Sequence, residues 1–80
     1  MPNKLVNSVA YTIRTLRKAN NISQKELASR ANLDRTYISG IERGVRNISL
    51  DSLEAIVDAL QIELPYFLDK LRDNIDCDKE

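Results

Sequence analysis

The stretch SQKELASRANLDRTYISGIER, residues 23–43, decides how the rest of the chain must be arranged. Ser23 followed three residues later by Glu26 has the form of a capping box, so a helix is expected to begin at about Gln24. Leu27 and Ala28 give that helix its apolar contacts. Asn32 falls where the chain has to turn, and asparagine tolerates the left-handed conformation such turns use. Asp34 is placed to cap a second helix, in which Ile38 and Ile41 point inward at i, i+3 spacing. Two helices this short, joined this tightly, must cross closely at Ala28, where a larger side chain would hold them apart. Arg35, Thr36 and Ser39 are then left on the outward side of the second helix, near its N-terminal end.

Helical periodicity continues on both sides. Over residues 6–19, Val6, Val9, Ala10, Ile13 and Leu16 recur at i, i+3, i+4. Arg14, Arg17 and Lys18 are expected on the polar side of that helix near its C-terminal end, where cations suit the helix dipole. Gly40 inside a helix costs roughly 1 kcal/mol against alanine, which points to close packing against another element. Gly44 is positioned to end the helix, and residues 44–47 follow as a loop. Ser49 can cap a fourth helix whose Leu53, Ile56, Val57 and Leu60 form an apolar stripe. Pro65 suits the first turn of a fifth helix. The expectation is an all-α, compact five-helix domain spanning residues 1–80, with helices at about 6–19, 24–31, 35–43, 50–60 and 64–75. Residues 76–80 read as a charged tail.

Composition narrows the function. Eighty residues, 42% apolar and 30% charged, fit one globular domain with no room for a separate catalytic or ligand-binding domain. No apolar run approaches a membrane span, and the first ten residues lack a signal-peptide core, so a cytoplasmic protein is expected. There is no histidine, no glycine-rich phosphate loop, and the single Cys77 has no base near it in sequence. Asp51, Glu54 and Asp58 are spaced like a solvated face and not like a metal cluster. The chain is expected to be no enzyme and to need no cofactor or metal.

Twelve basic and twelve acidic residues cancel overall, but they are not mixed. Residues 1–50 hold nine basic against three acidic residues, and residues 51–80 hold three against nine. The half that carries the two-helix motif is basic, an asymmetry that points to nucleic acid. The motif resembles the phage-repressor/Cro-type (XRE) helix-turn-helix family. More narrowly, NLDRTYISGIERGVRN (residues 32–47) is similar to the controller proteins of bacterial restriction–modification systems. Many members have glycine at the turn where this chain has Asn32, a chemically tolerable departure.

In a helix-turn-helix the N-terminal end of the second helix faces base edges in the major groove. Arg35, Thr36, Ser39 and Tyr37 are therefore the candidates for base readout, Arg35 through a donor fork that matches O6 and N7 of guanine. Tyr37 is open between packing at the core edge and placing its hydroxyl on DNA. Gln24 and Lys25, at a helix N-terminus, are candidates for phosphate. The resemblance implies that Gln24 clamps the DNA backbone and braces the recognition helix. It also implies that the loop after Gly44 follows the DNA backbone, which adds Arg43, Arg46 and Asn47, although Arg43 could instead pair within its own helix. Arg17 and Lys18 are evenly balanced between serving the helix dipole and meeting phosphate.

The last helix holds more apolar residues than a terminal helix of a tiny domain needs. Leu64, Tyr66, Phe67, Leu68 and Leu71 are expected to contribute to a homodimer interface, the alternative being that all of them cap the monomer core. A homodimer would place two recognition helices in successive major grooves of a pseudo-palindromic operator in double-stranded DNA, with half-sites about 10 bp apart. Two dimers could occupy adjacent sites. The resemblance further implies control of the protein's own gene and of the neighbouring endonuclease gene, with Glu26 or Asp34 as candidate contacts to RNA polymerase. A phage-type repressor, an antitoxin, or a protein-interaction module with only electrostatic affinity for DNA are the rival readings.

Overall fold

The computed structural model describes residues 4–77, with side chains through Ile75. Five helices follow one another: α1 (Lys4–Ala19), α2 (Gln24–Ala31), α3 (Arg35–Glu42), α4 (Leu50–Ala59) and α5 (Leu64–Cys77). The expected elements are all present. The last helix continues through two residues of what had read as a tail, and residues 78–80 lie outside the described residues.

The core draws on every helix. Ile13, Leu27, Ile38, Ile56 and Phe67, one each from α1 to α5, have no exposed surface. Around them α1 packs against α3 and α5, while α2 packs against α3 and α4. Each such side chain contributes about 1.5–3 kcal/mol by leaving water. Ala28 is buried where α2 meets α3, as the close crossing requires.

Helix ends show why the loops can be so short. Ser23 Oγ accepts from the Glu26 N–H at 3.0 Å, and Ser49 Oγ from the Ser52 N–H at 3.1 Å. Only half of the capping box is used, because the Glu26 carboxylate turns instead to Arg30 at 2.8 Å. Asp34 has the extended backbone of an N-cap, but its side chain makes no capping hydrogen bond. The amides of the first turn of α3 are therefore not closed off by that carboxylate.

Four helices end alike, on a left-handed residue: Asn21 (φ 58), Asn32 (φ 59), Gly44 (φ 75) and Gln61 (φ 62). After α3, the Gly44 N–H bonds the Ile41 carbonyl and the Val45 N–H bonds the Gly40 carbonyl, both at 3.0 Å. This paired pattern is the Schellman motif. Asn32 and Gly44 were expected in this role. Gln61, with no special tolerance of positive φ, was not.

Candidate nucleic-acid interface

One end of α3 is anchored and the other is open. At the anchored end Glu42 is buried, and each carboxylate oxygen is occupied. Oε2 accepts from Arg17 Nε at 2.7 Å. Oε1 accepts from Arg17 Nη2 at 3.0 Å and from Gln24 Nε2 at 3.1 Å. Arg17 Nη1 donates to the Ile22 carbonyl at 2.8 Å, and Arg14 Nη1 donates to the main-chain carbonyl of Glu42 at 2.8 Å. A single carboxylate thus ties α1, α2, α3 and the α1–α2 connection into one unit. Burying this pair costs desolvation energy, but the fork-to-carboxylate geometry and the added donors offset it.

This arrangement corrects the expectation for Arg17. It is turned inward, with a side chain only 10% exposed, and three of its N–H groups are held by Glu42 and Ile22. It anchors the motif and is not presented to phosphate. Arg14, expected on the polar side of α1, is half-buried and engaged at the end of α3, whereas Lys18 is exposed. Glu42 was missed altogether as a site residue, and so was the part played by Arg14. A signal for the pair existed in the sequence. Ile13, Leu16 and Arg17 stand at i, i+3, i+4, and so do Ile38, Ile41 and Glu42. Opposite charges on two apolar stripes that must meet form a pair more often than they face water.

At the open end, Arg35 and Thr36 are exposed and Ser39 is half-buried. Among the described residues, Arg35 makes no ion pair or side-chain hydrogen bond. Lys25 is exposed at the start of α2, beside Gln24, which reaches α3 through Glu42 as a brace would. Arg43, Arg46 and Asn47 are exposed after α3, and Arg43 makes no ion pair among the described residues. Tyr37 is half-buried against the core, and the Arg46 guanidinium lies over its ring at 5.1 Å from the centroid.

The apolar candidates of α5 divide. Phe67 is a core residue with no exposed surface, so its assignment to a dimer interface is corrected, and Leu71 is half-buried against the same core. Leu64, Tyr66 and Leu68 remain about half exposed. The two most open of the large apolar side chains lie elsewhere: Val45 in the α3–α4 loop and Leu50 at the start of α4, the latter 83% exposed. Neither was singled out from the sequence, because a loop residue and a first-turn residue contribute little to a periodic stripe. No helix of the described residues is long and apolar enough to cross a membrane, and no group of three metal-ligating residues is found among them.

Comparison with known proteins matches a helix-turn-helix family model over residues 13–67, which takes in the motif and the core-forming parts of its neighbours. The chain is 43% identical over 70 residues to the control protein C.BamHI of Bacillus amyloliquefaciens, covering 86% of each. It is 40% identical over 60 residues to the control protein C.SmaI of Serratia marcescens, covering 75% of this chain and 71% of that one. Among solved structures, the restriction–modification controller protein C.Esp1396I, crystallised as a tetramer with its natural 35-base-pair operator, superposes with a TM-score of 0.86. That match has 41% identity and covers 89% of this chain and 93% of that one. A phage-repressor-like motif, a five-helix frame and control proteins matched along most of their length all agree: the chain belongs to the helix-turn-helix family, in its phage-repressor/Cro-type branch, and within that branch it is most like the controller proteins of restriction–modification systems.

Proposed function

We propose that the protein is a sequence-specific DNA-binding transcriptional regulator, the controller of a restriction–modification system. It acts as a homodimer on a pseudo-palindromic operator and governs its own gene and the endonuclease gene. The observation that carries this reading is the division of α3. Its far end is fixed by Glu42, while Arg35 and Thr36 stand exposed and unengaged at the end that a helix-turn-helix presents to the major groove. Arg35 reads a guanine edge, with Thr36, Ser39 and Tyr37 beside it. Gln24, Lys25, Arg43, Arg46 and Asn47 position the backbone. Those contacts fix register and carry no sequence information.

Leu64, Tyr66 and Leu68 contribute to the contact between subunits, and two dimers fill adjacent sites. Glu26 and Asp34, both exposed, are available to RNA polymerase. The protein works in the bacterial cytoplasm at the nucleoid and carries out no catalysis. A DNase footprint on the DNA just upstream of its own coding sequence, titrated at physiological salt, tests the proposal. A protected pseudo-palindrome filling in two concentration steps is expected. Protection no better than on random DNA would remove autoregulation at that site.

A further inference from the structure

Gly40 and Arg46 are not neighbours in sequence, yet they share one space. A Cβ added to Gly40 would lie 2.5 Å from Arg46 Cγ, and its next nearest neighbours are Arg46 Cβ at 3.5 Å and Arg46 Cδ at 3.6 Å. The aliphatic stem of Arg46 therefore runs across α3 through the gap that the missing Cβ leaves. Two further contacts hold it there. The Val45 N–H donates to the Gly40 carbonyl at 3.0 Å, which pins the loop against the same residue. Beyond the stem, the guanidinium rests over the Tyr37 ring, whose place is set by packing against the core.

We infer that Gly40 and Tyr37 are positioning residues for Arg46: the glycine is a trough for its stem and the tyrosine ring a platform for its guanidinium. An exposed loop arginine ordinarily loses rotamer freedom when it grips a phosphate, and that loss weakens binding. Here the side chain is ordered before DNA arrives, on the same helix that carries Arg35. Cation–π contact with a ring packed against the core keeps the charge at the DNA-facing edge of α3. Of the two places open to Tyr37, its ring takes the one at the core edge, and its influence on DNA is exerted through Arg46. The inference rests on the DNA-binding reading above.

The test combines Gly40→Ala with Arg46→Ala in a double-mutant cycle, using a duplex obtained by in-vitro selection with the wild-type protein. In the Arg46 background, Gly40→Ala is expected to weaken binding about threefold to tenfold. In the Arg46→Ala background the same change is expected to cost nothing. Alanine is the better helix former, so the melting temperature should hold or rise, which separates the effect from misfolding. On the free protein, NMR should show the Arg46 side-chain signals shifted by the Tyr37 ring current. That shift should survive Tyr37→Phe and vanish in Tyr37→Leu and Gly40→Ala. Equal losses in both backgrounds, or unshifted Arg46 signals in the wild type, would overturn the inference. Failure of the wild type to enrich any sequence would instead overturn the DNA-binding reading, and the NMR result, obtained without DNA, tells the two failures apart.

Discussion

Arg17 and Arg35 belong to the same basic half of the chain, and their surroundings could hardly differ more. Arg17 is buried, and its guanidinium is divided between a carboxylate and a main-chain carbonyl. Arg35 stands in solvent with no partner among the described residues. The two regions they represent divide the labour of one motif. Around Arg17 and Glu42, charge is spent on holding three helices at fixed angles. Around Arg35, charge is left free so that a partner can supply the missing acceptors. A reader helix only eight residues long has little stability of its own. Its aim therefore depends on the anchor behind it.

The largest effect should come from the anchor. Glu42→Ala leaves Arg17 buried without its carboxylate and should cost about 3–5 kcal/mol, measured by urea denaturation. Against a typical domain stability of about 5–15 kcal/mol, specific DNA binding should weaken along with the fold. A loss below about 1 kcal/mol would erase the distinction between the regions. Arg35→Ala should leave the denaturation midpoint unchanged while cutting discrimination between operator and random duplex by about 1–3 kcal/mol, read from competition binding. Equal losses on both duplexes would move Arg35 from readout to backbone contact. Arg46→Ala should weaken binding to every duplex alike and flatten the salt dependence by about one unit of slope, measured across a salt titration. The smallest effect is expected at Arg30, whose ion pair with Glu26 is nearly as short, at 2.8 Å against 2.7 Å, but exposed. Arg30→Ala should change stability by only about 0.3–0.5 kcal/mol, and a loss rivalling that of Glu42→Ala would mean that burial is not what distinguishes the two pairs.

Much of this architecture was legible in the residues. Ser23 and Ser49 mark helix starts because a hydroxyl can take the orphan amides, and both do so in the structure. Asn32 and Gly44 mark ends because they accept positive φ. The outward set Arg35, Thr36 and Ser39 follows from the inward pair Ile38 and Ile41 by helical geometry alone. What escaped was set by contacts between distant segments. Arg17 and Glu42 are 25 residues apart, and each taken alone reads as a surface charge. Phe67 sat in a run of apolar residues whose share between core and surface depends on which way α5 docks. Asp34 had the composition and the backbone of a cap without the side-chain bond, which residue type alone does not decide.

The five apolar side chains without exposed surface, one from each helix, carry a consequence for how the molecule comes apart. All of them belong to one cluster, so withdrawing any single helix uncovers apolar surface on the helices packed against it. Partial opening therefore breaks into the one core that all five helices share. The protected amides of all five helices should exchange their hydrogens through the same global event, leaving no early-opening subdomain. Across residues 4–77 a cellular protease would then depend on that global event, so cleavage within the helices would follow the overall folding equilibrium.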